Sequence, residues 1–168
     1  MQSLRDRIYA SAYFAGQVSR YHAWPTLRKQ TVAEHCWRVA TIYCDLFGLP
    51  RAEVLYHCLH HDSGELYAGD IPFGAKNRVK GMGDMILEAE RLGYERLGIE
   101  LPEISELERK KLKICDLLEM WEFGSYEMRM GNTLAKPVVN DTCALVLKIA
   151  GDLGLYFVVN QWMVEKQV

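Results

Sequence analysis

Apolar residues recur along this chain at intervals of three and four, and almost nowhere alternate one by one. That spacing lays side chains along one stripe of a helix, whereas a half-buried strand needs a period of two. The chain must therefore bury its apolar surface by packing helix on helix. Val32, Cys36, Val39, Ala40, Tyr43 and Phe47 form one stripe, and Val54, Leu55, Cys58 and Leu59 a second. Met85, Ile86, Ala89, Leu92 and Leu97 form a third, and Ile104, Leu107, Ile114, Leu117, Leu118 and Trp121 a fourth. The punctuation sets the expected boundaries. An opening helix runs over 3–15 with Ser3 as cap and Gly16 as stop, and an irregular stretch over 17–30 contains Trp24-Pro25. A capping box at Thr31 and Glu34 starts the next helix, which Gly48-Leu49-Pro50 ends. A third helix begins near Arg51 and gives way to a loop broken by Gly64, Gly69, Pro72 and Gly74. Helices are expected over 82–97 and 103–123, then a loop over 124–137, then helix from Asp141 onward. The reading is an all-α fold, one domain over 1–168.

Length and composition fit that reading. A chain of 168 residues, 49% hydrophobic and 25% charged, can bury a core without disulfides. The net charge of −2 excludes a polycation that coats nucleic acid by bulk charge, so no stable nucleic acid binding is expected. Five cysteines (Cys36, Cys44, Cys58, Cys115 and Cys143) are scattered without a CxxC pair, and most lie among Leu, Val and Ile. They read as small buried hydrophobes in a reducing compartment. No apolar run approaches a membrane span, and the first residues lack the apolar core of a signal peptide. A cytoplasmic location is expected, with no membrane partner.

Three segments carry chemistry. His35 falls in the first turn of one helix, His61-Asp62 at the end of another, and Asp116 midway along a third. Imidazole nitrogens and carboxylate oxygens suit divalent Co, Mn, Zn, Fe or Mg, and four such groups can converge while leaving positions open for water and substrate. Each also has a plain alternative, since an adjacent His-Asp pair is common and His35 can be an ordinary histidine near a helix start. For Asp116 the plain alternative is strained. A carboxylate within Ile114-Cys115-Asp116-Leu117-Leu118 is costly to bury without a partner.

The segments TVAEHCWRVA, LHHDSGELYAGDIPFGAK and CDLLE together resemble the HD-domain phosphohydrolases. The pattern His…His-Asp…Asp falls on His35, His61-Asp62 and Asp116, and the motif region runs from about Arg20 to Asp116. The Glu-His pair behind a Thr-Val start, and the spacing of His61, Asp62, Glu65, Gly69, Asp70, Pro72 and Lys76, look like the 5′-deoxynucleotidase branch. They also look like phage enzymes that hydrolyse deoxynucleoside triphosphates, dATP in particular. The resemblance implies a helical bundle in which those four residues hold a divalent metal, with Glu65 and Asp70 as catalytic carboxylates beside it. The expected activity is a dNTP (dATP) triphosphohydrolase that releases deoxynucleoside and tripolyphosphate by attack of metal-bound water. The alternatives are a 5′-deoxynucleotidase acting on deoxynucleoside monophosphates, and a non-catalytic nucleotide-sensing HD domain.

Substrate contacts are expected from two acid-free basic stretches, 17–30 and 71–83, which flank the motif. Arg20 and Lys76 match basic positions of the family and are assigned to phosphate. Where the nucleotidase relatives carry Arg-Trp, this chain has Arg20-Tyr21 with Trp24 following. Tyr21 and Trp24 either stack on a base or anchor the loop to the core. His57 and His60, off the apolar stripe, read as surface or subunit-contact residues. Leu155, Tyr156, Phe157, Val158 and Trp162 either complete the core or bury themselves in a homo-oligomer, as the relatives suggest.

Overall fold

The computed structural model describes residues 11–72 and 78–166. A short helix α1 (Ala12–Gly16) is capped by Ser11, whose hydroxyl accepts the Tyr13 N–H. The backbone at Ser11 is extended, so no helix runs unbroken over 3–15, and the expected start at Ser3 lies outside the described residues. Within the stretch expected to be irregular, β1 (Ser19–Arg20) and β2 (Gln30–Thr31) form an antiparallel ribbon. Ser19 faces Thr31 and Arg20 faces Gln30.

Helix α2 (Val32–Phe47) starts where Thr31 caps it, the Thr31 hydroxyl accepting the Glu34 N–H at 3.3 Å. The reciprocal half of the expected box is not made. Glu34 turns its carboxylate to Arg28 instead, at 2.5 Å, because the ribbon brings that guanidinium alongside. Gly48, at φ +78°, ends the helix in a conformation that costs any other residue its Cβ contacts. Helix α3 (Ala52–His60) follows, then a 3-10 turn over Ser63–Leu66 and helix α4 (Met82–Leu97). Gly93 of α4 packs on that turn so tightly that a Cβ there would stand 2.2 Å from the Gly64 carbonyl oxygen.

The central element is α5 (Glu106–Arg129), whose 24 residues span roughly 36 Å. A capping box between Ser105 and Glu108 starts it. It runs past the expected stop at Phe123 because Gly124 is a contact point with α6 (Lys136–Asp152), where a Cβ would meet Val139 Cγ2 at 2.8 Å. The expected loop over 124–137 is thus mostly helix, reduced to a turn that includes the 3-10 segment Thr133–Ala135. Pro137 sits in the first turn of α6, where its missing N–H is harmless. Helix α7 (Tyr156–Lys166) closes the described chain.

α5 packs along α6 and against α2, and one apolar cluster draws on α2, α3, α5, α6 and α7. The fold is all-α with one minor ribbon. Val159, Trp162 and Met163 of α7 join the core, whereas Phe157 is 86% exposed. Cys36, Cys58 and Cys115 are buried, and all five cysteines are free thiols. Among the described residues no helix is long and apolar enough to cross a membrane.

Candidate metal centre

Three helices deliver the site. His35 is the fourth residue of α2 and fully buried, on the face that turns toward α5. His61 caps the C-terminus of α3, Asp62 opens the 3-10 turn, and Asp116 lies on α5. His35 Nε2 stands 3.2 Å from His61 Nε2, 3.3 Å from Asp62 Oδ2 and 3.4 Å from Asp116 Oδ1. His35, His61 and Asp62 offer ligand atoms that all lie within 4.8 Å of one another, close enough for one ion.

Both imidazoles are oriented from behind. His61 Nδ1 donates to the Cys58 carbonyl at 3.0 Å, and His35 Nδ1 donates to Glu119 Oε2 at 2.6 Å. With each Nδ1–H engaged, the two Nε2 lone pairs face a common point, as metal ligation requires. Glu119 in turn accepts from Gln30 Nε2 at 2.5 Å. The donor set of two imidazoles and carboxylate oxygens fits a borderline-to-hard divalent ion.

Charge at the site is dense, with His35 fully buried and His61, Asp62 and Asp116 partly so. Burial pulls the pKa of His35 down, as does Arg20, but the carboxylates of Asp116, Asp62 and Glu119 outweigh both and hold it well above the usual value. For His61 burial again opposes the charge, and neighbouring Asp62 carries it up to about 9. Burial also works against ionised Asp62 and Asp116, yet the histidines keep both well below the ordinary carboxylate range. The carboxylates thus draw positive charge to the point on which the two imidazoles converge.

Cations flank the cluster on two sides. Arg20 is 7% exposed, and its Nη1 donates to Asp62 Oδ2 at 2.8 Å. Lys113, one turn before Asp116, places Nζ 2.5 Å from Asp116 Oδ2. Glu65 is buried in the 3-10 turn, where its N–H donates to the Asp62 carbonyl. That tight turn stands where a loop is expected after Asp62. Asp70 Oδ2 accepts the Tyr21 N–H at 3.0 Å and holds that residue at φ +56°, a left-handed conformation that is costly for an aromatic side chain. The Tyr21 ring stacks on Phe123 at 4.6 Å, and Trp24 is exposed at the mouth of a narrow cleft that Tyr21, Phe123, Gly124 and Glu127 also line. Lys76 lies outside the described residues.

Of the two histidines expected at the surface or a subunit contact, His57 proves otherwise. His57 is buried and bonds the Pro102 carbonyl, because the segment before α5 folds over it. His60 is half-buried beside Ser63 Oγ, and burial lowers its pKa. Glu119, Gln30, Lys113 and the Arg38–Glu122 pair also join or border the site without standing in its sequence motif. Glu119 and Lys113 each stand three residues from Asp116, so one helical turn was the available signal.

Residues 17–127 match the HD domain family, about two thirds of the chain. The chain belongs to that family. In structure it is similar to the cyanophage S-2L HD phosphohydrolase DatZ, a structure bound to dA and one catalytic Zn2+ ion. The TM-score is 0.69 at 18% sequence identity, covering 99% of this chain and 95% of the other. No curated protein matches the sequence.

Proposed function

We propose that this HD-domain protein is a metal-dependent phosphohydrolase of deoxynucleotides, and that its substrate is a dNTP, dATP in the first instance, cleaved to deoxynucleoside and tripolyphosphate. The convergence of two oriented Nε2 atoms and the Asp62 carboxylate beside the buried Arg20 carries the reading. His35, His61, Asp62 and Asp116 would hold the ion, with Co, Mn, Zn, Fe and Mg all suited to such donors. When bound, a divalent ion supplies a Lewis acid for phosphoryl oxygen and lowers the pKa of water. Glu65, buried three residues after Asp62, would take a proton from the water, the role that the family resemblance implies for it. Asp70 acts through Tyr21, whose N–H it accepts, and so fixes where Arg20 enters the site.

Arg20 at Asp62 and Lys113 at Asp116 set positive charge on two sides of the cluster. That suits a chain of phosphates better than one, and Lys76 is assigned to phosphate on the family resemblance alone. Tyr21 and Trp24 border the adjoining cleft and suit the flat face of a base. The relative's bound dA and Zn2+ support the same class of ligand. A second reading, a 5′-deoxynucleotidase, is favoured by Arg20, the one buried arginine among the described residues, which is enough to anchor one phosphate. We take the chain as one HD domain acting in the cytoplasm, and infer that it self-associates through the exposed α7 surface around Phe157. Light scattering of the purified chain reads the last point directly.

The test of activity is incubation of the purified protein with dATP and with dAMP over a panel of divalent metals, identifying the phosphate species released. Tripolyphosphate from dATP is expected, and Asp62→Ala should abolish both metal content and turnover. Orthophosphate from dAMP without tripolyphosphate from dATP establishes the second reading. No release from either with any metal leaves a nucleotide-sensing domain.

A further inference from the structure

Arg20 and Gln30 face each other across the β1–β2 ribbon, and both side chains are buried. Each ends on the ligand cluster, by a different route. Arg20 meets Asp62 directly. Gln30 reaches His35 through Glu119: its Nε2 donates to Glu119 Oε1 at 2.5 Å, while Glu119 Oε2 takes the Nδ1–H of His35 at 2.6 Å. Gln30 is 1% exposed, Glu119 2% and His35 0%, so no bulk water competes for these bonds. The amide keeps its donor end on Glu119 even though Gln30 Oε1 finds no hydrogen-bond partner, and a buried acceptor left so is costly. The opposite orientation would set the amide oxygen against a carboxylate oxygen.

From this geometry we infer that Glu119, held in plane by Gln30, is a positioning residue that fixes the His35 ring for a divalent ion and sets the affinity of the site. The inference rests on the metal reading above. Glu119 touches neither substrate nor ion. It occupies the Nδ1 side, so the nitrogen left to meet an ion is Nε2, aimed at His61 and Asp62, and its negative charge makes that nitrogen a stronger donor to metal. Gln30 removes the remaining freedom of the carboxylate, since one oxygen alone would let the group rotate about its last bond. Partners of this kind are worth on the order of 10–100-fold in metal affinity.

The experiment titrates Zn2+ and Co2+ into the wild-type protein, Glu119→Gln, Gln30→Met and the reciprocal double variant Gln30→Glu/Glu119→Gln, against a chromogenic chelator, with a thermal melt of each. Glu119→Gln is expected to bind about 10–100-fold more weakly. The reciprocal variant keeps the amide–carboxylate bond and its fold, yet stays weak, because an amide now faces His35. Gln30→Met should lose about tenfold, and raising the metal concentration should return kcat toward wild type in all three with KM for substrate unmoved. A folded Glu119→Gln that binds as tightly as wild type overturns the inference, as does full affinity in the reciprocal variant. Should Glu119→Gln fail to fold, unchanged affinity in Gln30→Met decides against it equally. A wild-type protein that binds neither metal brings down the metal reading itself, and this inference with it.

Discussion

Three glutamates of α5 are buried, and each has a different partner. Glu119 holds His35 and Gln30, Glu122 holds Arg38, and Glu127 accepts the N–H groups of Leu27 and Arg28 together with Asn132 Nδ2. The first belongs to the metal centre, the second ties α5 to α2, and the third pins the loop that carries Arg20 and Tyr21 into place. Arg38 and Glu122 stand one turn beyond His35 and Glu119 on the same two helices, so their fork, with contacts of 2.8 and 2.6 Å, fixes the helix spacing on which the site depends. Replacing Arg38 by Met strands the Glu122 carboxylate in a nearly dry position. Removing one partner of such a pair costs about 3 kcal/mol, while an apolar replacement of both recovers much of it. Guanidinium unfolding of Arg38→Met and of Arg38→Met/Glu122→Leu checks this, and an unchanged midpoint in the single variant refutes it. The four proposed ligands are legible in the sequence because a carboxylate in an apolar stripe is a local signal and the His…His-Asp…Asp order matches a family pattern, and Arg20 is legible through that resemblance alone. Glu119 and Glu122 stand in that same stripe, but glutamate is also the ordinary residue of a solvated helix face. What sets them apart is a partner 84 residues away, which one-dimensional spacing does not carry.

At the scale of elements, the boundaries that could be read are those with both a cap and a stop. Thr31 and Gly48 bracket α2, and Gly98 in the left-handed conformation ends α4 where its stripe runs out. The ribbon β1–β2 escaped because two-residue strands are too short to alternate. Gly124 was taken for a breaker, but a glycine in a helix also serves where another helix comes too close for a side chain. Gly93 is the stronger instance, since it lets α4 lie directly on the turn that bears Asp62 and Glu65, and its neighbour Tyr94 bonds the His61 carbonyl. The two positions predict different outcomes on substitution by alanine. At Gly93 the obstacle is backbone at 2.2 Å, which cannot give way without moving the metal-bearing turn. Gly93→Ala should therefore destabilise by about 3 kcal/mol, the upper end for overpacking. At Gly124 the obstacle is one methyl of Val139, and the gain in helix propensity of about 1 kcal/mol offsets most of the strain. Denaturant melts of the two variants give the ranking, and equal losses would show that α4 is free to shift.

For the molecule as a whole, a net charge of −2 says little, because placement decides what the protein can hold. Negative charge is gathered at one buried point among Asp62, Asp116 and Glu119, and the cations Arg20 and Lys113 stand at its edges. Without metal, protons on His35 and His61 balance those carboxylates, and that has a measurable consequence. His61 rises from 6.5 to about 9 on folding, and His35 rises as well. A group whose pKa is raised in the folded state stabilises fully below its unfolded pKa and loses that contribution as pH climbs through the folded one. The metal-free protein should accordingly lose thermal stability between about pH 6.5 and pH 9. Metal works in the opposite sense over the same window, because ligation requires neutral imidazoles and so displaces those protons. The gap between the melting temperatures of metal-loaded and chelator-treated protein should therefore widen steadily as pH rises. At the acid end, the depressed pKa values of Asp62 and Asp116 mean that the metal-free form loses their contribution only as pH falls below the ordinary carboxylate range. Thermal melts across this pH range, with a chelator and with Zn2+ or Co2+, read both effects in one series. A metal-free melting temperature that climbs between pH 6.5 and 9 would show that the cluster does not store protons in place of a cation, and would remove the electrostatic reason for metal to enter there.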